Sequence, residues 1–157
     1  MDAVENLLTR NSVSKLTEPY PSKDEMKLIY KAALRAPDHA WLRPSRFIEV
    51  TGKGLEKLSN IFVDYISNTS NEVSDLLLSK YKNAPFRAPM IIILVSQPKD
   101  HPKVPEIEQI LSTSAAAQNI LLALHALNYN CLRFFFPISH GWCHLFPKSK
   151  NFISVTK

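Results

Sequence analysis

Arg10, Asn11 and Ser12 stand together just after a short apolar-patterned stretch. A guanidinium beside a hydroxyl on a tight connector suits an anion, because arginine offers a fork of donors to phosphate oxygens. The same trio also fits a solvated helix end, where Arg10 meets the negative end of the helix dipole. A second group, Arg35-Ala36-Pro37-Asp38-His39, lies where a helical pattern breaks. Irregular backbone after a helix often lines a binding site. Asp38 and His39 are adjacent and face different ways, so they are not an acid–base dyad. No nucleophile elbow, no HExxH and no Ser-His-Asp constellation is present. No catalytic side chain is assigned, and an enzyme built on this sequence would take its chemistry from a cofactor.

The only glycines are Gly52, Gly54 and Gly141, so neither a P-loop nor a GxGxxG cradle can be written. Cys131 and Cys143, with His140 and His144 nearby, could be drawn as a zinc site, but their order and spacing fit no common finger. Two cysteines are also too few for a disulfide framework. The net charge is +5, which first suggests nucleic acid. Its distribution argues against that. Residues 131–157 hold Arg133, Lys148, Lys150 and Lys157 and no acid, whereas the preceding residues are near neutral. The basic character belongs to the tail, and a composition break falls at about Cys131.

The elements that must position these groups follow from pattern. At 157 residues the chain is one domain, with 45% hydrophobic residues to build a core. Asp2 caps a helix over 2–9, with Val4, Leu7 and Leu8 on one face. Ser22 and Glu25 form a capping box for a second helix carrying Met26, Ile29, Tyr30 and Ala33. Pro37 ends it near Arg35. Residues 36–45 form a loop and 46–50 a strand. A turn at Gly52 and Gly54 leads to a helix through Leu55–Ile66, and Val73–Tyr81 outlines another. Residues 90–95 are an all-apolar run, as for a strand buried on both faces. A long helix over 104–128 puts Ile107, Ile110, Leu111, Ser114, Ala117, Leu121, Leu124 and His125 on one broad face. Its small-residue stretch 112–117 suits close packing, either within the chain or between two copies. Leu132–Phe136 is a last strand. The class is α+β or α/β. The longest apolar run has six residues, too short to cross a membrane. The N-terminus lacks a secretory pattern, so a cytoplasmic location is expected.

The ordered set Arg10-x-Ser12, Arg35–His39, Pro44…Phe47, Asn83–Pro89 and His101–Pro105 resembles the FMN-dependent nitroreductase family, and within it the small YdjA-type members. The resemblance covers about residues 1–131. It implies an α+β fold, with a mixed β-sheet flanked by helices, and a homodimer with FMN at the subunit interface. It implies an oxidoreductase that passes electrons from NAD(P)H through FMN to a small acceptor such as a nitroaromatic or quinone. Nucleic acid and membrane are not expected partners. Arg10, Asn11 and Ser12 would hold the ribityl phosphate end. Arg35 and His39 would also contact flavin, His39 reaching the one held mainly by the other subunit. Arg133 echoes a further flavin contact of the family.

The departures are specific. Asn11 stands where the family commonly has a second arginine, and Arg43-Pro44-Ser45 replaces Gln-Pro-Trp. The family pattern fades after about residue 133. Residues 1–133 are therefore expected to be an incomplete FMN-binding domain, and 134–157 a basic, aromatic tail outside the family pattern, such as a shifted reading frame would produce. On that expectation C-terminal strands of the family are missing. Two other readings stand beside the active enzyme. One is a degenerate remnant that no longer holds FMN. The other is a basic module whose tail contacts an anionic partner.

Overall fold

The computed structural model describes residues 1–69, 73–134 and 149–156. Its helices are α1 (Ala3–Thr9), α2 (Lys23–Ala33), α3 (Lys53–Thr69), α4 (Asp75–Asn83) and α5 (Glu106–Ala126). Its strands are β1 (Ser45–Thr51), β2 (Met90–Ser96), β3 (Asn130–Phe134) and β4 (Ser149–Thr156). The strands form one sheet in the order β1-β2-β4-β3, and every described pairing is antiparallel.

Strand β2 is buried along its whole length. Its side chains alternate between two cores, as the period of two requires. Met90, Ile92 and Leu94 face α2 and α5, where they meet Met26, Ile29, Ile120 and Leu124. Ile91, Ile93 and Val95 face α3, where they meet Leu55, Leu58 and Phe62. Helices therefore cover both faces of the sheet.

Local signals set most boundaries. The capping box of α2 is present: the Ser22 hydroxyl accepts from the Glu25 amide, and the Glu25 carboxylate accepts from the Ser22 amide. The same carboxylate accepts from the Tyr129 hydroxyl at 3.0 Å, which ties the start of α2 to the end of the α5–β3 connection. Gly52, at φ +49°, supplies the left-handed turn from β1 into α3. Asn128, at φ 62°, does the same after α5. Helix α4 begins at Asp75 rather than Val73, because the Ser74 hydroxyl caps it.

Two results differ from the pattern reading. In α5 the buried residues are Gln109, Thr113, Ala116, Ala117, Ile120, Leu121 and Leu124. Ile107, Ile110 and Leu111, expected on the packed face, are 58%, 38% and 59% exposed. They form a second apolar stripe on the other side of the first two turns. The second result is β4, which lies between β2 and β3 and comes from a stretch in which periodicity marked no element. The end of the predicted strand at residues 135–136, together with His140, Cys143 and His144, lies outside the described residues.

No helix among the described residues is long and apolar enough to cross a membrane.

Candidate functional site

The structure places the candidate residues in two groups at opposite ends of α5. The first group lies at the β3 edge of the sheet. Helix α1 stops at Arg10, whose backbone is extended. The chain then runs along β3, where the Val13 amide donates to the Cys131 carbonyl. Arg87 fixes its far side by donating twice to the Ser14 carbonyl, at 2.9 and 3.2 Å. The half-buried Arg10 guanidinium donates to the Asn11 carbonyl at 2.7 Å and lies 3.5 Å from the Ser12 hydroxyl. Asn11 thus contributes its carbonyl to this cluster.

Beneath Arg10 lies Cys131, which is 1% exposed. Burial pushes its thiol pKa up, and the Arg10 guanidinium pulls it back down. Arg133 is two residues along the same strand, so it shares the face of Cys131 about 7 Å further on. It is half-buried, and burial pulls its pKa down. Arg10, Ser12 and Arg133 therefore gather at one sheet edge. Two guanidinium groups and a hydroxyl are a donor set that fits an anionic group such as a ribityl phosphate. Cys131, weighed in the sequence only as a metal ligand with Cys143, is here a neighbour of Arg10, a pairing no short motif announces because 121 positions separate the two.

The second group lies at the start of α5. After α2 the chain turns through Arg35–Asp38 into a 3-10 turn, His39–Trp41. His39 Nδ1 lies 2.8 Å from Glu108 Oε2, an ion pair when the imidazole is protonated. Asp38 does not pair with His39. Its Oδ2 accepts from the Arg43 amide at 2.9 Å and so fastens the loop. Ala40, Trp41 and Arg43 all have positive φ, at 57°, 54° and 52°. Each such residue costs on the order of 1–3 kcal/mol, and this kind of strain concentrates at binding sites. The loop borders an open cleft of about 520 Å³ whose wall includes Arg35, Pro37, Phe47, Ser112 and Ala116. Lys31, Trp41 and Arg43 also line it. Arg43 was marked in the sequence only as a departure from Gln-Pro-Trp, and Lys31 and Trp41 were not singled out; a tryptophan in a proline-bounded loop was the available signal.

The two groups do not meet within one chain. Thr9, next to Arg10, lies 3.0 Å from His125 near the end of α5, whereas His39 contacts Glu108 in its first turn. At 1.5 Å per residue those contact points are about 25 Å apart along the helix.

A central sheet flanked by helices, with an anion-suited edge and a separate cleft on the same long helix, is a mixed α/β fold with two candidate binding regions. The nitroreductase family model matches residues 7–138. The chain is 36% identical over 129 residues to YdjA of Escherichia coli K12, a provisionally named NAD(P)H nitroreductase. That match spans 82% of this chain and 69% of YdjA. A nitroreductase-like family protein from Bacillus cereus superposes with a TM-score of 0.80 at 16% identity, covering 99% of this chain and 85% of that one. The FMN-dependent nitroreductase NfnB from Mycobacterium smegmatis, solved with NADPH, gives a TM-score of 0.72 at 14% identity, covering 98% and 86%. The chain belongs to the nitroreductase family.

Proposed function

We propose that this chain is a flavin-dependent oxidoreductase that works as a homodimer, holds FMN between its two copies and passes electrons from NAD(P)H to a small nitroaromatic or quinone-like acceptor. The observation that carries the reading is the separation of the two residue groups. Arg10, Ser12 and Arg133 suit the phosphate end of the cofactor. His39 meets α5 about 25 Å along the helix from the contact beside Arg10, and Arg35 lines the cleft on that side, so the two groups face separate places on one copy. A second copy supplies the missing end.

Exposed apolar surface supports the same reading. Val4, Leu7 and Leu8 on α1 are 64%, 59% and 80% exposed, and the Ile107–Leu111 stripe adds to them on α5. Apolar patches rimmed by polar residues mark association surfaces. Membership of the nitroreductase family supports FMN and NAD(P)H as cofactor and reductant.

Bound FMN would supply two-electron chemistry that no side chain here offers. The protein's own residues bind and orient. Arg10 and Ser12 neutralise and anchor the phosphate end, with Asn11 holding Arg10 through its carbonyl. Arg133 adds a second positive charge at the same edge. Arg35 and His39 close on the partner's cofactor, and Glu108 fixes the imidazole. The test is steady-state oxidation of NADH and NADPH by FMN-supplemented protein with a quinone or nitroaromatic. Acceptor-dependent turnover is expected, and an FMN-loaded dimer without it overturns the reading.

A further inference from the structure

Helix α1 cannot by itself hold the anion-suited edge in place. None of its residues is buried. Among the described residues its side chains reach α5 through the Asn6 amide, which donates to the Leu122 carbonyl, and through the Thr9–His125 contact. The connector that carries Arg10 and Ser12 is held from its other end. Leu16 is 6% exposed, and its amide donates to the Arg87 carbonyl at 2.9 Å. The Arg87 guanidinium grips the same segment, since its Nε and Nη2 both donate to the Ser14 carbonyl. Arg87 is itself firmly placed. It closes a 3-10 turn, Ala84–Arg87, in which Pro85 is buried. Ala88, 3% exposed, follows it and leads into the fully buried β2. A rigid path therefore runs from the central strand through Arg87 to Ser14. Ser14 is two residues from Ser12, a span of at most about 7 Å.

We infer that Arg87 is a positioning residue for the phosphate end of the cofactor. Its guanidinium sets the path of the connector and so keeps the Ser12 hydroxyl and the Arg10 guanidinium where one anion can reach both. The inference rests on the reading that Arg10 and Ser12 take the ribityl phosphate, and it adds a residue that acts through them. The planar guanidinium holds its Nε and Nη2 donors in a fixed fork, so a carbonyl that accepts from both is fixed in distance and direction. Among the described residues no carboxylate pairs with Arg87, so this backbone oxygen is the partner its geometry selects. Removing the fork leaves the Leu16 anchor and the Arg87 carbonyl bond in place, and water can take over at the Ser14 carbonyl. The fold then persists, while Arg10 and Ser12 must be ordered at the moment of binding. That ordering is subtracted from affinity. It is subtracted only for a ligand that uses the pair. Riboflavin has the same ring and ribityl chain without the phosphate, so it does not sense the loss.

The experiment is fluorescence titration of the full-length protein with FMN and with riboflavin, in wild type, Arg87→Leu and Arg87→Lys. Wild type should prefer FMN. Arg87→Leu should weaken FMN about five- to tenfold and riboflavin by less than about twofold, because only FMN draws on the ordered pair. Arg87→Lys keeps the charge but not the fork, so its preference should fall between the two. The difference between wild type and Arg87→Leu should hold to within about twofold from low to physiological salt, because a clamp is not screened as a distant charge is. A preference that Arg87→Leu leaves intact overturns the inference. So does parallel weakening of both flavins, which is what a purely structural role gives, and so does a difference that salt abolishes. Full recovery of the preference in Arg87→Lys also overturns it, since charge alone would then suffice. Equal affinity for FMN and riboflavin in wild type overturns the phosphate reading itself and this role with it, and that failure is seen before any variant is made.

Discussion

Arg10 sits at the meeting point of three structural facts. It ends α1, covers the buried Cys131 thiol, and aligns with Ser12 at the sheet edge. A charge-assisted hydrogen bond contributes about 1.5–3 kcal/mol, so Arg10→Ala should weaken FMN about ten- to a hundredfold, measured by fluorescence titration. Arg10→Lys should recover part of this, since an ammonium keeps the charge and loses the fork. Tyr30 gives a different prediction. Its ring stacks on Phe47 and its hydroxyl donates to Glu49 at 2.8 Å. Burial, then Glu49, pushes its pKa well above the ordinary value of 10.0. The neutral phenol is therefore favoured in the folded state. Its contribution is intact below pH 10 and is lost as pH rises beyond it, when unfolded tyrosine ionises first. Melting temperature should fall above about pH 10, less steeply in Tyr30→Phe. At this scale the sequence showed which residues to watch but not their partners. Arg10, Ser12 and His39 stand in short motifs. Glu108 lies 69 positions from His39 and Cys131 far from Arg10, so only the folded chain joins them.

The elements were legible where one local rule dominates. The Ser22–Glu25 box announced α2, and the apolar run 90–95 announced a strand packed on both faces. Ser22→Ala removes one half of the box and should cost about 1 kcal/mol, seen as a lower denaturation midpoint at unchanged slope. Helix α5 was harder, because two apolar stripes overlap on it. Ala117, Leu121 and Leu124 continue the packed stripe, while Ile107, Ile110 and Leu111 belong to the outward one. A single periodic face merges them. The outward stripe makes its own prediction: Leu111→Glu should shift the protein from dimer to monomer in sedimentation while its melting temperature changes by only a few degrees. Loss of folding together with loss of the dimer would mean that the stripe packs within the chain. Strand β4 was not legible at all. It follows a stretch rich in aromatics, and the alternation of Ile153 and Val155 with Ser154 and Thr156 is too short to announce it.

For the whole molecule, the central claim is that two copies are needed to complete one cofactor site. One chain carries an anion-suited edge at one end of α5 and a cationic, aromatic cleft at the other. A central sheet flanked by helices is what the family resemblance implies and what the structural neighbours share, whereas every described pairing here is antiparallel rather than mixed. Exposed stripes on α1 and α5 would otherwise meet water. The resemblance in sequence pointed to this arrangement, whereas composition and charge alone pointed only to a compact α+β domain with a basic tail. The most direct test is gel filtration of the purified protein with FMN, recording flavin absorbance across the profile together with light-scattering mass. The account predicts one flavin-absorbing peak at the mass of two chains, carrying about one FMN per chain. A flavin-free dimer, or FMN bound stoichiometrically by a monomer, would contradict it.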